Sequence, residues 1–167
     1  MDSTFDEKKE YLNEHFRYEV TELLSELYFH TSLVKRIENG EYEAQQYMNM
    51  SIEHACLHVR NLDEFYYDGL KKGEYRAADY IPSWINTERS QYLESSKTRI
   101  NNEIAHMGSK RYINPEDKQW DIPKLVWEIL DVTSKFLNQL DENYYNMELK
   151  ELKYTLKMIP RDQEVSQ

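Results

Sequence analysis

Ser96-Lys97-Thr98-Arg99-Ile100-Asn101-Asn102-Glu103-Ile104-Ala105-His106-Met107-Gly108 is the stretch from which the fold follows. At 3.6 residues per turn, Ile100 and Ile104 fall on one stripe, and Arg99, Asn102 and His106 fall on another. An apolar stripe beside a polar one is the pattern of a helix half buried in a bundle. Gly108 stands where a helix commonly ends on a left-handed residue. A guanidinium, an amide and an imidazole therefore line up at the end of one amphipathic helix.

The same period runs outward in both directions. Thr4-Phe5-Asp6-Glu7 fits a capping box. Leu12, Phe16, Val20, Leu23, Leu24, Leu27, Val34 and Ile37 then recur at threes and fours, predicting a helix to about Asn39, closed by Gly40. A second helix spans residues 41–67, with Ala44, Ile52, Ala55, Val59, Leu62 and Phe65 inward. Residues 70–86, containing Pro82 and Trp84, read as a loop with a helical turn near 77–79. Asn86 or Thr87 caps a third helix reaching Met107. Residues 109–121 are rich in turn formers, and Asp121 before Pro123 opens a fourth helix. That helix carries Leu125, Val126, Ile129, Leu130, Phe136 and Leu137, and continues or restarts through Leu149, Leu152 and Leu156 to about Met158. The expectation is an all-α four-helix bundle with long first and last helices, one domain over residues 1–160 and a disordered tail at 161–167.

Composition agrees. Four Gly and four Pro in 167 residues give little punctuation for a many-stranded fold, and 31% charged residues suit solvated helix faces. One cysteine, Cys56, excludes an intramolecular disulfide framework and fits a reducing cytoplasm. The acidic start lacks the apolar run of a signal peptide, and no run reaches the roughly 18 apolar residues of a membrane span. A cytoplasmic protein is expected. A net charge of −10 argues against broad, sequence-independent nucleic-acid binding, which basic surfaces supply. Fourteen tyrosines are rich material for core edges or interfaces.

Arg99-Ile-Asn-Asn-Glu-Ile-Ala-His106 resembles the Arg-x(4–6)-His motif of HEPN domains, helical bundles of prokaryotic toxin and phage-defence systems. His58-Val59-Arg60-Asn61-Leu62-Asp63-Glu64-Phe65 is similar to an earlier-helix segment of abortive-infection-type HEPN-like proteins. The resemblance covers about residues 45–140. Two positions depart from the family's pattern: Ile100 follows the arginine where a polar residue is common, and Gly108 stands two residues after the histidine where one subgroup has Tyr. The resemblance implies a metal-independent endoribonuclease without a cofactor, working as a homodimer. His106 would handle the ribose 2′-hydroxyl proton, Arg99 would hold the phosphate, and Asn102 would assist. Arg60, Asn61 and His58 would support the site, with Lys110 and Arg111 widening a phosphate-binding mouth. It also implies RNA as substrate and an antitoxin partner such as a minimal nucleotidyltransferase.

Two other readings stand beside it. A HEPN-like module can keep this pocket for interaction or nucleotide binding without cleavage. Separately, His54 and His58 lie at i,i+4, a spacing that places two imidazoles on one metal, with His30 or His106 expected as the third ligand from another helix. Glu103-Ile-Ala-His106 supplies one Glu-x-x-His element, whereas a di-iron bundle needs two. In the purely structural alternative Arg99 pairs with Glu103, Arg60 pairs with Asp63 or Glu64, and Cys56 is a buried apolar residue.

Overall fold

The computed structural model describes residues 4–67, 75–105 and 119–160. Every regular element among them is helical. Thr4 accepts from the Glu7 amide while Glu7 accepts from the Thr4 amide, so the expected capping box starts α1, Phe5–Tyr11. A π-helical turn, Leu12–Phe16, carries the chain without a break into α2, Arg17–Glu38. Gly40, at φ +85°, turns the chain back into α3, Tyr42–Tyr67. A left-handed residue is nearly free only to glycine, so this tight corner fits its sequence.

Next come α4, Ala77–Tyr80, and a 3₁₀ turn, Pro82–Asn86. The third long helix starts later than the sequence suggested. Pro82 opens the 3₁₀ turn, Trp84 is buried with its indole N–H donating to the Tyr66 carbonyl at 3.1 Å, and Ser90 rather than Asn86 or Thr87 caps α5, Gln91–Ile100. A second π-helical turn, Asn101–Ala105, extends α5. Asp121 caps α6, Ile122–Gln139, as expected. The chain then stops and restarts. Asp141 and Asn146 cap a short 3₁₀ turn and α7, Met147–Met158, so of continuing and restarting the chain restarts, and the expected long last helix is replaced by α6 and a 12-residue α7.

One aromatic cluster joins the layers. Phe16, Phe65, Tyr66, Tyr80 and Trp84 all pack around Phe136 with ring centroids 5.3–6.2 Å apart. Tyr66 donates to Thr133, which in turn donates to the Ile129 carbonyl, so the buried hydroxyls are satisfied. The architecture is an all-α bundle, and no described helix is long and apolar enough to cross a membrane.

Candidate functional site

Two places gather polar chemistry. The first lies between α2 and α3, which pack along their length as a hairpin. Glu19, Glu22 and Glu26 succeed one another at three and four residues and so share one face of α2. His54 and His58, one turn apart on α3, meet that face. The Glu26 carboxylate bonds His54 Nδ1 at 2.9 Å, and the Glu19 carboxylate bonds His58 Nδ1 at 2.7 Å. Asn61 donates to the same Glu19 oxygen at 3.1 Å. The two Nε2 atoms face each other at 3.1 Å.

One potential ligating atom from each of Glu22, His54 and His58 lies within 4.8 Å of the other two. His58 is buried, while His54 keeps nearly half its side chain exposed at the edge of a groove of about 500 Å³ lined with Phe29, Met50 and Leu57. Glu26 is buried, and its Oε1 has no hydrogen-bond partner among the described residues.

Among the described residues the third group is Glu22 and not His30. His30 is buried elsewhere on α2, its Nδ1 3.2 Å from the Ser51 hydroxyl. Burial holds its pKa below the ordinary value, with Glu26 and Asp121 pulling partly the other way. His106 lies outside the described residues, as do Lys110 and Arg111. Sequence spacing on one helix does not single out the carboxylates of α2; their three- and four-residue steps, set against His54 and His58 on the next helix, are the signal that could find them.

The second place is the end of α5. Arg99 Nε lies 3.0 Å from both Glu103 oxygens, its Nη1 donates to the Gln119 carbonyl at 2.8 Å, and the guanidinium sits 4.0 Å from the centre of the Trp120 ring. Glu103 and Asn102 belong to the π-helical turn, and the buried Asn101 Oδ1 meets no partner among the described residues. Cys56 of α3 faces this corner. Burial drives its thiol up to about 12, with Arg99 opposing the shift and Glu103 and Glu53 adding to it, which disfavours the thiolate that a nucleophile needs.

The supporting residues expected from the sequence divide between other partners. Arg60 pairs with Glu64 at 3.0 Å, while His58 and Asn61 turn to α2. Asp63 takes a two-pronged bond from Arg89, at 2.9 and 3.0 Å, with Lys97 at 3.7 Å. This buried cluster ties α3 to the start of α5 and so sets where Arg99 stands. Set against family models, curated proteins and solved structures, the chain matches none of them.

Proposed function

We propose that this chain is a HEPN-like helical bundle that acts on RNA through the Arg99–His106 segment, as a metal-independent endoribonuclease of a toxin or phage-defence system. The observation that carries the reading is the π-helical turn over Asn101–Ala105, inside the motif itself. Such turns are rare and concentrate at functional sites, and this one leaves a buried amide oxygen of Asn101 without a described partner. Arg99 stands two residues before it with its fork already oriented by Glu103, the Gln119 carbonyl and Trp120.

In the reaction, His106 takes the ribose 2′-hydroxyl proton and the oxygen attacks the adjacent phosphorus. The 5′-oxygen leaves with a proton taken from solvent, to which the His106 imidazolium later releases its own, and a 2′,3′-cyclic phosphate remains. A phosphate exchanges for the Glu103 carboxylate on the Arg99 fork, which suits either anion. Asn102 donates to the same phosphate, and Lys110 and Arg111 add positive charge to an otherwise acidic chain. The apolar rim formed by Phe29, Met50 and Leu57 supports a second copy as partner, and the family resemblance supports an antitoxin of nucleotidyltransferase type.

A second reading is favoured by one fact: Arg99 is already engaged by Glu103 and Gln119. On that reading the module binds a partner or nucleotide and does not cut. Incubating the purified chain with total and tRNA-sized RNA in EDTA, beside Arg99→Ala and His106→Ala, separates the two. Cleavage leaving cyclic phosphate ends, lost in both variants at unchanged melting temperature, is expected. Intact RNA with the wild-type chain would favour the non-cleaving module.

A further inference from the structure

Each imidazole of the α2–α3 pair has its Nδ1 against a carboxylate, Glu26 for His54 and Glu19 for His58. A carboxylate only accepts, so each Nδ1 carries the hydrogen. The tautomer of both rings is thereby fixed, and each neutral ring is left with a lone pair on Nε2. These two nitrogens point at each other across 3.1 Å. Two facing acceptors are repulsive unless a cation stands between them.

We infer that His54 Nε2, His58 Nε2 and the Glu22 carboxylate bind one divalent transition-metal ion of the zinc type. Zinc–nitrogen bonds of about 2.05 Å at a tetrahedral angle set two ligand nitrogens about 3.3 Å apart, close to the spacing seen here. A Glu22 carboxylate oxygen lies within 4.8 Å of a ring nitrogen of each histidine. Glu19 and Glu26 are the partners that metal-binding histidines ordinarily have on the other ring nitrogen, where they orient the ring and raise its basicity. Asn61 in turn steadies Glu19. Two imidazoles and one carboxylate suit zinc and its neighbours better than calcium or magnesium, which prefer oxygen alone.

Three protein ligands leave the fourth position of a tetrahedral ion to solvent or a small anion. Half-exposed His54, at the lip of the groove beside Phe29, Met50 and Leu57, gives an ion its way in. The buried Glu26 Oε1, lacking a hydrogen-bond partner among the described residues, leaves acceptor capacity next to the site. This site is independent of the RNA reading, whose assay runs in EDTA.

The rival occupant is a proton, which makes one ring an imidazolium donating to the other. Stripping the purified chain with a chelator, dialysing it and titrating with Zn²⁺ at neutral pH distinguishes the two, read by calorimetry and by the visible spectrum of Co²⁺. One equivalent of Zn²⁺ and a tetrahedral Co²⁺ spectrum are expected. His54→Ala and Glu22→Gln should each weaken binding by about 100-fold or more, and Glu19→Gln by about 10- to 100-fold as a positioning change. Should His58→Ala fail to fold, Glu22→Gln and the imidazole ¹⁵N shifts of the wild-type chain carry the test. No Zn²⁺ uptake by the wild-type chain, or equal uptake by the His54→Ala and Glu22→Gln variants, would overturn the inference.

Discussion

Asp63 illustrates how a single side chain fixes a corner of this bundle. Its carboxylate is almost wholly buried, yet it holds a two-pronged bond from Arg89 and the ammonium of Lys97. Arg89 also lies over the Tyr67 ring, and burial together with the nearby Asp63 raises the Tyr67 hydroxyl to about 12. Removing one member of such a group strands the other charges in a poor solvent, a loss of about 3–5 kcal/mol. Asp63→Asn should lower the urea-unfolding free energy by about that much while leaving the far end of α6 packed. A loss under about 1 kcal/mol would mean that water reaches the pair and screens it.

At the level of elements, helix existence was plain from the sequence and helix detail was not. The Thr4–Glu7 capping box and the Asp121–Pro123 start signal through side chains that act locally, and Gly40 through its lack of one, so all three can be read directly. The π-helical turns gave no such sign. Apolar residues spaced at threes and fours suit an α turn and a π turn equally well, and the choice depends on distant partners.

Leu12–Phe16 shows why. The Arg17 amide reaches the Leu12 carbonyl five residues back, and buried Asn13 bonds the Lys9 carbonyl, the Tyr144 carbonyl and the Asn146 amide. One amide side chain thus joins the first helix to the start of the last. Asn13→Ala should cost about 2–3 kcal/mol, since it leaves buried backbone groups unpaired, and should raise hydrogen exchange at Asn146 before it does so in α3. Unchanged exchange at Asn146 would place the anchor elsewhere.

The candidate sites were legible in unequal shares. His54 and His58 stood out because i,i+4 spacing lies within one helix. Glu22 did not, because its place beside them depends on how α2 and α3 are rotated against each other. Arg99 was found as a residue, and its engagement with Glu103 matches the structural alternative at i,i+4. Its contact with Trp120 spans a stretch whose path the sequence leaves open.

The molecule as a whole should respond to acid in a defined direction. Burial, partly opposed by Glu26 and Asp121, holds the pKa of His30 below its ordinary 6.5 in the folded chain. Unfolded chains therefore bind more protons over the interval between the two values. Stability from this group is complete above about pH 6.5 and is lost as pH falls toward the folded value. His30→Gln should flatten the decline in urea midpoint between pH 7 and 5. An unchanged slope would assign that decline to other groups.

The hairpin of α2 and α3 has a consequence for the order in which the chain is made. All five side chains of the His–Glu cluster lie between residues 19 and 58, on two neighbouring helices joined by a three-residue corner at Gly40. These contacts, 28 and 39 residues apart, cost less loop entropy than those that reach Phe136. During synthesis, which delivers a domain from its N-terminal end, this face can assemble as soon as α3 has left the ribosome, while the aromatic cluster must wait for Phe136. The nascent chain can thus assemble its His–Glu face before it completes its aromatic core.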